Sequence, residues 1–360
     1  MFRSFSARNF RCFRDTTIEG LGAVNLFVGK NNVGKTALLE GVFLHIGSHN
    51  PELPGHLNLL RGMPPSEFTA EEMWGWLFWQ QRIAEPVELR TRDDEGKERL
   101  LRICLGTPEM TPVPAPGNGQ PGPARPAGAK TTALGARDLR LERYEGSTRL
   151  AASRATIVTE GPVPQLRIEP AQGLTLPLGI YLAASAHHVG ENIERFSKLQ
   201  EIGEDKTVLE ALQILEPRLK RLVLSVKGGG ATMQGEIGLR RLIPLPLMGD
   251  GMGRLLSYVL AIAAAPKGTV LIDEIENGLH YSVLRDVWKV VADFARHSQT
   301  QVFATTHSGE CIRAAQEAFR DTGPQDFCLH KLERVGDGIE AVRFTQEMLS
   351  TANATGLEVR

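Results

Sequence analysis

The segment Gly29-Lys30-Asn31-Asn32-Val33-Gly34-Lys35-Thr36 constrains this chain more than any other stretch. It follows the apolar run Ala23 to Val28, which reads as a buried strand, and it opens a pattern that predicts a helix from Lys35 to about Ile46. Glycines at these places let successive backbone N–H groups turn inward around phosphates. A lysine then reaches the β and γ oxygens, and a threonine hydroxyl offers a ligand to magnesium. The pattern predicts ATP with Mg2+ held by residues 29–36, with Lys35 in a catalytic role and Thr36 as a metal ligand. Strand, loop and helix in that order also demand an α/β architecture.

Two later strands are expected to complete the site. Val270-Leu271-Ile272 is an apolar strand ending in Asp273 and Glu274. A strand that buries its body presents such carboxylates at its tip, where Asp273 serves magnesium and Glu274 polarises the attacking water. Val302-Phe303-Ala304 is a second such strand, ending in Thr305-Thr306-His307-Ser308. His307 is placed to meet the γ-phosphate and is assigned to catalysis, against the alternative of a structural hydrogen-bonder.

The rest of the chain fills in the frame. Short strands are expected before residue 29, a helix start at Pro64-Pro65-Ser66-Glu67, and a hairpin over 87–105 turning at Asp93 to Lys97. Residues 106–130, crowded with proline and glycine, read as a flexible loop. Strands are expected near 138–145, 148–159 and 165–169, then a return to a buried strand at 178–183. Helices are expected at 190–202, 206–220, 251–264, 280–297 and 309–320, strands at 221–227 and 233–239, and a closing hairpin at 327–345. The predicted fold is a mostly parallel sheet with an N-terminal antiparallel part and an inserted α+β lobe. The main domain comprises 1–50 and 175–360, and the lobe 51–174.

Composition narrows the setting. With 41 basic and 42 acidic side chains in 360 residues the net charge is −1, so no whole-molecule field favours nucleic acid or an anionic membrane. Cys12, Cys104, Cys311 and Cys328 form no CxxC pair, which fits a reduced compartment. Neither a membrane helix nor a signal-peptide core is present in the sequence, and a cytoplasmic protein is expected.

Four groups of residues together resemble the ABC-type ATPases of the SMC and RecF class, and within it stand-alone AAA ATPases similar to the ATPase half of OLD-family proteins. They are Ala7-Arg8-Asn9-Phe10-Arg11-Cys12-Phe13, Gly29 to Thr36 with Ala37-Leu38-Leu39-Glu40, Asp273 to His280, and Thr305 to Ser308. The resemblance covers both ends of the chain and not the lobe. It implies a P-loop ATPase head that dimerises head to tail around two ATP molecules, each held between one subunit's P-loop and the other's signature motif. Leu247-Met248-Gly249-Asp250-Gly251-Met252-Gly253-Arg254 stands at the signature position, with Gly249, Asp250 and Gly251 assigned to nucleotide binding. Here the family's serine is absent, and a plain glycine-rich helix cap is the competing reading. Residues 276–280 would be the interface-crossing D-loop, and Arg11 is assigned to the nucleotide, with a surface arginine as the alternative. The family's glutamine loop has no clear counterpart; Gln80 and Gln81 follow an expected helix.

The implied function is ATP binding and hydrolysis that close and open a homodimer as a switch acting on DNA or on a separate effector, such as a nuclease from another chain, in phage defence or DNA repair. An ATPase subunit of a transporter and an ATP-binding regulatory module with little turnover are the alternatives. The chain is expected to have no room for a Toprim nuclease, and no Asn-Lys-x-Asp guanine-reading motif occurs. His187-His188 lacks a carboxylate at ligand spacing. The cluster of Phe68, Trp74, Trp76, Phe78 and Trp79 reads as lobe core more readily than as a base-stacking platform.

Overall fold

The computed structural model describes residues 1–63, 70–106, 138–158, 165–173, 176–186, 188–227, 230–323, 326–344 and 348. The expected helix start at 64–67 and all but the first residue of the expected loop at 106–130 lie outside them.

Two sheets enclose one helix. The first has seven antiparallel strands: β1 (Phe2–Phe10), β2 (Phe13–Glu19), β4 (Val87–Asp93), β5 (Glu98–Gly106), β6 (Asp138–Glu145), β7 (Thr148–Val158) and β8 (Gln165–Glu169), in the order β2-β1-β4-β5-β6-β7-β8. Alternating burial along these strands marks one covered and one open face. The β1–β4 ladder, running from Phe2 opposite Asp93 to Arg8 opposite Glu88, joins the segment read as an inserted lobe to the N-terminal strands.

The second sheet has six strands in the order β16-β15-β3-β14-β13-β9: β16 (Gly338–Phe344), β15 (Phe327–Val335), β3 (Val24–Val28), β14 (Gln301–Thr305), β13 (Thr269–Ile272) and β9 (Gly179–Leu182). All neighbours are parallel except the β15–β16 hairpin. Every residue of β3, β13 and β14 is buried, as expected for strands covered on both faces. Successive side chains go to opposite faces. Val270 and Ile272 pack among the helices α4 (Val189–Glu201), α5 (Asp205–Leu212), α6 (Asp250–Ala264), α7 (Leu284–Ser298) and α8 (Gly309–Ala318). Leu271 and Phe303 instead join Phe5, Val87 and Leu89 of the first sheet around α1 (Lys35–Ile46).

Some boundaries moved for local reasons. The helix expected over 206–220 stops at Leu212, ahead of Glu216-Pro217, where proline disfavours helical backbone in the residue before it. The helix expected from 280 starts at Leu284 after a 3-10 turn at Tyr281–Val283 that His280 caps. A short helix, α2 (Leu53–Leu60), with Pro54 in its first turn and Leu57 buried, was not anticipated. It is followed by α3 (Ala70–Gly75). Trp74, Phe78 and Trp79 are buried as core, while Trp76 is exposed. A three-stranded sheet of β10 (Arg221–Lys227), β11 (Gly230–Glu236) and β12 (Ile243–Pro244) lies on the helical side. Among the described residues no helix is long and apolar enough to cross a membrane.

Candidate active site at the tips of three parallel strands

β3 delivers the chain to Gly29, whose φ of 144° and close approach to the Leu332 carbonyl leave no room for a side chain; a Cβ there would stand 2.5 Å from that oxygen. Gly34, with φ 101°, caps α1 in the left-handed region, and a Cβ on it would meet Cys12 Sγ at 2.6 Å. No side chain caps this helix, so its first N–H groups remain available to an anion. Val33 is buried, whereas Lys30, Asn31 and Asn32 are exposed along the outer rim of the loop. The Lys35 ammonium donates to the Gly29 and Lys30 carbonyls at 2.7 and 3.1 Å. Burial pushes its pKa down, and Asp273 opposes that shift.

The tip of β13 lies beside α1. The Thr36 hydroxyl donates to Asp273 Oδ2 at 2.9 Å and lies 3.2 Å from Oδ1, while Thr305, at the end of β14, donates to Oδ1 at 2.6 Å. Burial raises the Asp273 pKa, and the two hydroxyls pull it back. Glu274 takes a left-handed φ of 51°, held by its N–H donating to Thr305 Oγ1 at 2.8 Å and by Asn277 Nδ2 donating to its Oε2 at 2.8 Å. His307 follows β14, its Nδ1 3.7 Å from Glu274 Oε1 and 3.3 Å from Glu276 Oε1. Parallel pairing of β3, β14 and β13 thus brings Lys35, Thr36, Asp273, Glu274 and His307 together at one end of the sheet.

The glycine turn before α6 is placed differently. After Gly249 (φ 102°), Asp250 and Gly251 lie against segment 276–280 of the same chain: a Cβ on Gly251 would stand 2.7 Å from the Gly278 carbonyl and 3.2 Å from Leu279. The helix that follows has no side-chain cap.

Arg11 is committed elsewhere. With φ 47°, it places its guanidinium 2.7 Å from Glu40 Oε2, deep beside α1, and Arg61 holds the same carboxylate through two hydrogen bonds of 2.7 and 3.0 Å. Burial lowers the Arg11 pKa and Glu40 opposes it. A nucleotide contact for Arg11 would require it to leave Glu40, so that assignment stays a proposal. Gln80 and Gln81 lie exposed on a 3-10 turn with φ of 49° and 57°. His187 is outside the described residues; His188 Nδ1 lies 3.5 Å from Glu191, and no cluster of three or more metal-ligating side chains occurs among the described residues.

Sequence reading missed three supports: Thr305, which bridges Asp273 and the Glu274 backbone, and Asn277 and Glu276, which bracket Glu274 and His307. The signal was visible in part, since a hydroxyl at the tip of the strand adjoining an acidic tip is placed to bond it.

Residues 1–46, which include the phosphate loop, match the family model described as "AAA ATPase domain", and residues 141–311, which include Asp273, Glu274 and His307, match "AAA domain, putative AbiEii toxin, Type IV TA system". Both matches are to ATPase domains, and the activity they support is ATP hydrolysis. An ATP/GTP phosphatase of Helicobacter pylori is 23% identical to this ATPase over 339 residues, 89% of each chain. The SMC head domain from Thermotoga maritima aligns with 95% of this chain and 98% of its own at 13% identity and TM-score 0.43. A Pyrococcus furiosus Smc head with an extended coiled coil, bound to the ScpA C-terminal domain, aligns with 99% of each chain at 9% identity and TM-score 0.47.

Proposed function

We propose that two copies of this ATPase close head to tail around two Mg2+·ATP molecules and that hydrolysis reopens them. In each half-site the N–H groups of residues 29–36 and the Lys35 ammonium bind the phosphates, releasing Lys35 from its two carbonyls. Thr36 and Asp273 supply two hard oxygen ligands with their oxygens already together. That set suits magnesium, which prefers few protein carboxylates and fills its sphere with phosphate oxygens and water. When bound, the ion screens charge on the β and γ phosphates. Glu274 accepts the proton of the attacking water, and His307 orients the γ-phosphate or the water beside it. Gly249 to Gly251 of the other copy would cover the γ-phosphate through their backbone N–H groups.

The observation that carries the dimer is the pairing of Gly251 with Gly278, which puts signature turn and D-loop on one surface with Leu247 and Tyr281 exposed next to them. Energetically, ATP drives closure only through contacts it makes better in the closed state. A Glu274→Gln protein incubated with Mg2+·ATP is expected to elute at dimer mass, and with ADP at monomer mass. A monomer under both conditions sinks the proposal.

The motion is proposed to act, in the cytoplasm, on duplex DNA or on a separate effector protein such as a nuclease, in phage defence or repair. The toxin wording of the matching family model supports a defence role. Stimulation of hydrolysis by duplex DNA, or co-purification of a nuclease, tests it; neither result would leave only the switch. The relative's ATP/GTP name makes GTP turnover a necessary control.

A further inference from the structure

We infer that Glu276 is a positioning residue that sets the tautomer of His307, with the Nδ1 proton turned inward and Nε2 left for the substrate. The inference rests on the reading of Glu274 and His307 as the hydrolytic pair.

One oxygen of Glu276 meets His307 twice. Oε1 accepts the His307 backbone N–H at 3.0 Å and lies 3.3 Å from its ring Nδ1. Glu274 Oε1 stands 3.7 Å from the same nitrogen. A ring nitrogen with two carboxylate oxygens in front of it cannot present a lone pair there without repulsion, so Nδ1 carries the proton. Its partner Nε2 is then the atom through which the ring meets the water or phosphate. Residue 307 is fixed at backbone and side chain by a single carboxylate from the loop after β13. The Glu276 side chain is only 10% exposed, against 47% for His307, so the anchor is rigid and the anchored ring is open to the site.

A purely structural role explains Glu276 poorly. Its other oxygen, Oε2, is buried with no hydrogen-bond partner among the described residues. Burying a carboxylate with one oxygen unmatched costs more stability than an apolar side chain in its place would. Orientation of a working histidine is what the charge offers in return, as carboxylates do for histidines generally.

The test reads the tautomer directly. In protein with 15N-labelled histidine, His307 is expected as the Nδ1–H form at a pH where the ring is neutral. In Glu276→Ala it is expected to revert toward the Nε2–H form. kcat should fall roughly ten- to a hundredfold with little change in KM for ATP, part of the 10²- to 10⁴-fold that a positioned acid–base group contributes. Glu276→Gln, which keeps an accepting oxygen, should recover part of the loss, and adding Glu276→Ala to His307→Ala should cost nothing further. A wild-type Nε2–H ring, or a tautomer unchanged in folded Glu276→Ala, overturns the inference. If instead Glu274→Gln or His307→Ala hydrolyses ATP at the wild-type rate, the hydrolytic reading fails, whatever the tautomer shows. Melting temperatures of both Glu276 variants separate loss of fold from loss of orientation.

Discussion

In the phosphate-binding half, Lys35, Thr36 and Asp273 are buried or half-buried, and each is hydrogen-bonded within the chain. The turn Gly249 to Gly251 shares the lack of a side-chain cap but not the surroundings: its neighbours Leu247 and Tyr281 are 77% and 66% exposed. Both are glycine turns opening a helix, so the difference lies in what surrounds them. One chain finishes the first half by itself. The second presents bare N–H groups and apolar surface, which under the dimer proposal a second copy would cover.

The largest expected effect breaks chemistry while leaving both halves in place. Glu274→Gln should lower kcat by about 10²–10⁴, the range for removing a general base, with ATP still bound; wild-type turnover would remove Glu274 from the mechanism. Next comes Lys35→Ala, which strips the first half of its cation. Loss of charged hydrogen bonds of about 2–3 kcal/mol predicts ATP binding roughly 30- to 150-fold weaker, measurable by calorimetry.

Gly251→Val attacks the second half alone. Its Cβ would drive into the Gly278 carbonyl and displace the turn. Turnover should fall about tenfold or more, equivalent to at least roughly 1.4 kcal/mol, while ATP affinity of the monomer is retained. Equal loss of both would mean the two halves are not separable.

The smallest effect concerns the strain of preorganisation. Asp273 has a folded-state pKa above its usual 3.8 because it is buried. The stability it contributes is therefore complete below pH 3.8 and is lost as pH rises through the raised folded value. At neutral pH the ionised carboxylate is a burden on the nucleotide-free protein. Asp273→Asn should raise the melting temperature of nucleotide-free protein by roughly 2 °C at pH 7, and the gap between variant and wild type should close on acidification toward pH 4. A gap that widens in acid contradicts the assignment.

Local signals made the first half readable from sequence. Residues 29–36 form their cradle from their own backbone, and the apolar strands before Asp273 and His307 announce strand tips. Pairing across long stretches of chain was not readable. That β4 extends the sheet begun by β1 depends on the register of strands some eighty residues apart, and that Arg11 pairs with Glu40 depends on how α1 packs against the β1–β2 turn. The side-chain bridge from Thr305 to Asp273 likewise follows from the β13–β14 register, Ile272 opposite Ala304, which no single motif encodes.

The helix that begins at Lys35 is walled in on all sides, with Ala37, Leu38, Leu39, Val42 and Leu44 packed between two sheets. An element so encased makes a poor hinge, because any rotation would have to repack both layers at once. In the proposed switch the nucleotide pocket would then be the fixed part. Under the proposed dimer switch, the movement that ATP drives would fall to the outer layer of helices, where α6 meets segment 276–280.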